Sequence, residues 1–148
     1  MRRVFALLAS VLVLAVVAQF FLAASGAFDT APADESFRPH RALGYAILLF
    51  SLLVTVVGAL ARMPGRLIGM TALVAGLVVV QGLIRTVAAA FDDGSTAGTL
   101  VFGLHAVNAL AIMAVSGNVA RRARMLVRQP AGSPAGSPAG SPAGSPAS

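Results

Sequence analysis

The sequence predicts an all-α fold, an integral membrane up-down four-helix bundle with a disordered C-terminal tail, and three observations carry that prediction. The chain of 148 residues is 57% hydrophobic and only 11% charged, whereas an ordinary soluble domain is about 45–50% apolar. Four apolar runs, residues 4–24, 42–61, 67–91 and 97–120, reach the roughly 20 residues a helix needs to cross about 30 Å of hydrocarbon. The charges are also sorted by loop. Arg2 and Arg3 precede the first run, Arg62 and Arg66 separate the second from the third, and Arg121, Arg122, Arg124 and Arg128 follow the fourth. All five acids, Asp29, Asp34, Glu35, Asp92 and Asp93, fall in the other two loops. Membrane strands would read as alternating segments of about ten residues, so a barrel is excluded.

The membrane domain is expected over 1–128, with helices at about 4–24, 39–61, 66–91 and 96–120. The first helix has a competitor, because MRR followed by an apolar stretch and small residues also resembles a secretory signal. Its apolar core exceeds the about 7–15 residues of a signal, which favours a retained helix, and cleavage would leave the other loops where they are. The second helix starts near Pro39, since proline loses nothing in a first helical turn. Met63-Pro64-Gly65 breaks the chain before the third, and Ser95 or Thr96 can cap the fourth. Residues 129–148 contain AGSP four times over, a composition that cannot build a core. Arginine-rich short loops stay cytoplasmic, so a multi-pass plasma-membrane protein with both termini cytoplasmic is expected. The net charge of +6 therefore reports topology rather than nucleic-acid binding. With no cysteine, disulfides, thiolate metal sites and cysteine nucleophiles are excluded.

Six polar side chains from the four helices crowd the half of the bundle away from the arginines. Arg3 to Gln19 is 16 residues, Arg66 to Gln81 is 15, and Arg121 back to His105 is 16, which sets all three about 23–24 Å from the arginine-rich boundary. Arg85 lies a turn beyond Gln81, Asn108 a turn before that boundary from His105, and His40 highest, about 9 Å above His105 along the axis. An unpartnered polar group in hydrocarbon costs roughly 2–7 kcal/mol, so these groups should face one another or an enclosed ligand. His105 and Asn108 fit a hydrogen-bonded pair joining helices, or a metal or haem site. Arg85 fits a side chain reaching Asp92, Asp93 or headgroups, or an anion site. Gln19 and Gln81 fit interhelical hydrogen bonds. Gly65, Gly69, Ala72 and Gly76 form a small-residue stripe that fits a neighbouring helix or another protomer.

Through HRALG, the Gln81 segment, LHAVNAL and the closing arginine cluster, residues 4–128 resemble an uncharacterised family of small four-helix membrane proteins of high-GC bacteria. More remotely they resemble one four-helix half of haem A synthase, which has a histidine on its second and fourth helices. That resemblance implies His40 and His105 as haem b ligand positions, with Arg41 or Arg85 meeting propionates. It implies no synthase activity, because the synthase has a glutamate three residues before its histidine, where this chain has Phe37. Three function classes follow: a haem- or quinone-binding redox protein, an accessory membrane subunit without cofactor, and a small transporter. Transport ranks last, since no helix is broken and no inverted repeat is apparent.

The arginine sorting makes a direct prediction. A reporter active only outside the cytoplasm should give signal when fused after Asp93 and none when fused after Arg128; the reverse pattern would invert the topology.

Overall fold

The computed structural model describes residues 1–91 and 95–128, and all of its regular structure is helical. In chain order the helices are α1 (Arg2–Ala27), α2 (Ala33–Ser36), α3 (Arg38–Leu60), α4 (Gly65–Ala88) and α5 (Thr96–Arg128). Four spans, one of them α2 and α3 together, are long and apolar enough to cross a membrane. The AGSP tail and residues Asp92, Asp93 and Gly94 lie outside the described residues.

Local chemistry explains the boundaries. The Pro32 carbonyl accepts from the Glu35 and Ser36 amides and starts α2, a single turn that the sequence reading did not anticipate. Pro39 sits in the first turn of α3. At the other end of α3 the Met63 amide donates to the Gly58 carbonyl and the Arg62 amide to Ala59, both at 3.0 Å. This is a Schellman closure. It needs a left-handed residue, which Arg62 supplies at φ 51° for roughly 1–2 kcal/mol; in return two carbonyls are satisfied and Met63 is buried. Pro64 opens α4, and the Ser95 hydroxyl caps α5 by accepting the Gly98 amide at 3.0 Å.

Two helix ends differ from the apolar runs. In the last turn of α4 the Ala90 amide turns to Val87, three residues back, and the helix ends at Ala88 rather than near 91. In contrast, α5 continues past Ala120 to Arg128. No glycine or proline interrupts that segment, and Ala123, Leu126 and Val127 still pack on the core.

Each long helix packs on two others: α1 and α4 do not pair, and each lies against both α3 and α5. The result is a closed ring of antiparallel neighbours. Its interior is layered. Phe5, Val54, Leu67 and Val119 fill the arginine-rich end, and Leu12, Ile47, Val74 and Ile112 fill the middle. Three hydroxyls are fully buried in these layers and satisfy themselves within their own helices: Ser51 on Leu48, Thr71 on Ile68 and Ser116 on Ile112 carbonyls. Towards the acidic end the interior becomes polar.

The small-residue stripe of α4 contacts no neighbouring helix of this chain. A Cβ added at Gly65, Gly69 or Gly76 would meet open space. The close approaches are elsewhere. A Cβ at Gly58 would stand 2.9 Å from the Phe5 ring, and one at Gly26 would stand 2.8 Å from the Ser36 carbonyl oxygen.

Gly58→Ala should therefore overpack the arginine-rich layer and destabilise the bundle by about 1–3 kcal/mol. Combining it with Phe5→Leu should recover most of the loss. Denaturant titration of the two variants in detergent checks both expectations, and an additive loss would contradict them.

Candidate functional site

Beyond the Ile47 and Ile112 layer the four helices bring Gln19, His40, Gln81, His105 and Asn108 together. The α1–α3 pair is joined by three contacts between two residues. Gln19 Nε2 donates to the His40 backbone carbonyl at 2.8 Å, His40 Nδ1 lies 3.1 Å from the Gln19 carbonyl oxygen, and Gln19 Nε2 lies 3.3 Å from His40 Nε2. A carbonyl oxygen can only accept, so Nδ1 carries the ring proton and Nε2 keeps its lone pair. Gly44 gives the Gln19 amide room, because a Cβ added there would crowd its nitrogen at 3.3 Å.

The α4–α5 pair is joined in a related way. Gln81 Nε2 donates to the His105 backbone carbonyl at 2.8 Å. Asn108 Nδ2 donates to the Leu77 carbonyl at 2.8 Å and also to Gln81 Oε1. Gln19 and Gln81 are thus interhelical hydrogen-bonders, as their residue type predicts. The expected pairing of His105 with Asn108 is replaced: Asn108 reaches across to Gln81, whose amide holds the backbone of His105. Two side-chain atoms of this layer, Gln19 Oε1 and His105 Nδ1, are buried without a hydrogen-bond partner.

The histidines are closer than residue counting implied. Their ring centres are 6.3 Å apart, with planes tilted by 44°. The count failed because Arg121 does not mark the end of α5; the helix runs on to Arg128, which lifts His105 to the level of His40. Both rings also have an aromatic neighbour that the sequence reading missed. Phe37 meets His40 edge-on at 6.2 Å, and Phe102 stacks on His105 at 5.1 Å. The available signal was a phenylalanine three residues before each histidine, in FRPH and FGLH.

These residues face a cleft of about 560 Å³ that is mostly apolar and is lined by Gln19, His40, Arg41, Gln81, Arg85 and His105 among others. Such a volume lies within the usual range of about 300–1,000 Å³ for small-molecule sites. Six of the seven predicted site residues therefore share one cavity, and the seventh, Asn108, braces Gln81. Exposed lining residues bring the cleft to the bundle surface between α3 and α4, through Tyr45, Val79, Leu83 and Thr86, and between α1 and α5, through Phe20 and Ala106. The two arginines differ in availability. Arg41 is engaged by Asp34, at 3.3 Å to its carboxylate and through its backbone carbonyl. Arg85 lines the cleft, and its expected contact with Asp92 or Asp93 lies outside the described residues. Among the described residues no cluster of three or more metal-ligating side chains occurs.

The profile of a family of unknown function, DUF6220, matches residues 19–90, just under half of the chain. The similarity takes in Gln19, His40, Arg41, Gln81 and Arg85 and stops before α5. No curated protein and no solved structure matches.

Proposed function

We propose that the cleft binds a redox-active haem b between His40 and His105, in a plasma-membrane protein whose arginine-rich end is cytoplasmic. The observation that carries the reading is the 6.3 Å between the ring centres. Two imidazoles binding one iron from opposite sides stand roughly 6 Å apart, twice a metal–nitrogen bond of about 2.0 Å plus a ring half-width of about 1.1 Å. A quinone held by both rings fits poorly. Its opposed oxygens are about 5 Å apart and each needs a hydrogen bond of about 2.8 Å, so the imidazole nitrogens would have to separate to about 10 Å.

The side chains suit the group in three respects. His40 is held in the tautomer that leaves Nε2 a lone pair, the state a metal ligand needs, with Nδ1–H on a carbonyl as second-sphere support. The 3.3 Å contact from Gln19 Nε2 is long for a hydrogen bond and is what an iron would replace. Arg41 and Arg85 approach from adjacent helices, α3 and α4, so anionic propionates would point to that seam, with Arg85 the better placed. Bound there, the group would supply one-electron redox chemistry. The chain's own part is to hold two imidazoles, exclude water with apolar walls and place positive charge at one edge. Sorting of arginine to one end of the bundle supports this orientation, in which the site would lie towards the outer face.

Purified from haem-replete cells, the protein should show a strong Soret band. His105→Ala should abolish it, and His40→Ala should convert a six-coordinate spectrum to a five-coordinate one. A colourless preparation that cannot be reconstituted with haem would overturn the reading, and quinone in its organic extract would replace it. With neither, a non-catalytic accessory subunit is the remaining class.

A further inference from the structure

We infer that the bundle is two copies of one helical hairpin, α1 with α3 and α4 with α5, related by a pseudo-two-fold axis along the bundle, and that the cleft is a single site to which each copy contributes one histidine and one positioning glutamine. Residue register is the first support. Gln81 stands 62 residues after Gln19, and the same shift takes the buried Phe5, Ala9 and Leu12 onto the buried Leu67, Thr71 and Val74. His105 stands 65 residues after His40, and that shift takes Phe37, Ile47, Ser51 and Val54 onto Phe102, Ile112, Ser116 and Val119. Both isoleucines, both serines and both valines are buried. The pattern F-x2-H-x6-I-x3-S-x2-V is thus written twice. The connection at the acidic end accounts for the difference of three residues between the shifts.

Packing and hydrogen bonding follow the same operation. Exchanging the copies turns the α1–α3 contact into α4–α5 and the α1–α5 contact into α4–α3, so the ring of helix contacts maps onto itself. Gln19 on the His40 carbonyl and Gln81 on the His105 carbonyl are equivalent bonds, each 2.8 Å. Complementary size is conserved as well: Phe5 lies against Gly58, and their counterparts are Leu67 and Ala123, a smaller residue against a larger one. Because α1 and α4 run in the same direction, the repeat is parallel rather than inverted.

The duplication explains the two unpartnered atoms of the site. In the second copy Asn108 donates to Gln81 Oε1; the equivalent residue in the first copy is Leu43, which has no donor, and Gln19 Oε1 is left bare. In the first copy His40 Nδ1 reaches the Gln19 carbonyl; in the second the ring stacks flat on Phe102 instead, and His105 Nδ1 is left bare. Each copy lacks what the other has. For the ligand, the consequence rests on the haem reading above: a group on the axis meets two like half-sites and must accept the same contact from two opposed sides.

The test transplants one residue between equivalent positions in the full chain. Placed at 43, an asparagine should donate to Gln19 Oε1 and to the Ala15 carbonyl, the counterpart of Leu77. Leu43→Asn should therefore raise the melting midpoint in detergent, although an amide buried among apolar helices ordinarily lowers it, and the rise should vanish in a Gln19→Leu background. Asn108→Leu alone should lower the midpoint, and adding Leu43→Asn to it should restore the lost thermal stability. A midpoint that fails to rise, or rises equally without Gln19, overturns the duplication, as does failure of the second asparagine to compensate for Asn108→Leu. Colour does not enter these measurements, so a colourless protein would end the haem reading and leave the duplication standing.

Discussion

The rest of the structure depends on one constraint: within a low-dielectric bundle, a polar side chain that does not bond its own helix must find its partner on another. Gln19 and Gln81 meet it in the same way, each reaching across to the backbone carbonyl of a histidine. An interhelical polar contact in a membrane is worth only about 0.6–2 kcal/mol. The two clamps therefore add modest stability, but they are directional where apolar packing is not. They fix the rotation and height of α3 against α1 and of α5 against α4, and the two imidazoles come within 6.3 Å as a result.

The apolar layers make the clamps possible. Small residues let helices approach where the core needs it, at Gly58 against Phe5 and at Gly44 against Gln19. In the layers of Phe5 and Leu12 the fully buried hydroxyls, Ser51, Thr71 and Ser116, bond their own helices. The interhelical contacts of Gln19, His40, Gln81 and Asn108 gather at the end carrying the acidic loops, and the cleft opens there. Its walls reach the surface at two helix seams, so a ligand could exchange with the surrounding lipid without passing through the packed layers.

Much of this was legible in the sequence. Run length and arginine sorting specify four antiparallel spans, and the cost of a lone polar group in hydrocarbon identifies Gln19, Gln81 and the histidines as one assembly. What escaped was geometry set by helix ends. Counting from Arg121 misplaced His105, because α5 carries its arginines inside the helix and a charge run is no boundary when apolar residues on the same helix still pack. The partner of Asn108 escaped too, since one turn along a helix brings two side chains onto a face without saying which neighbour they address. The repeated F-x2-H-x6-I-x3-S-x2-V pattern was present in the sequence but hidden by unlike residues at the lipid-facing positions, where only hydrophobicity is required.

The central claim, that a glutamine clamp on each histidine-bearing turn orders the site, is tested most directly by nitrogen-15 NMR of the imidazoles in the full-length, haem-free protein in lipid. The account predicts a His40 ring locked with its proton on Nδ1 and a bare Nε2, in a state that becomes a tautomeric average when Gln19 is replaced by leucine. A ring protonated on Nε2, or one already averaging in the unaltered protein, would contradict it.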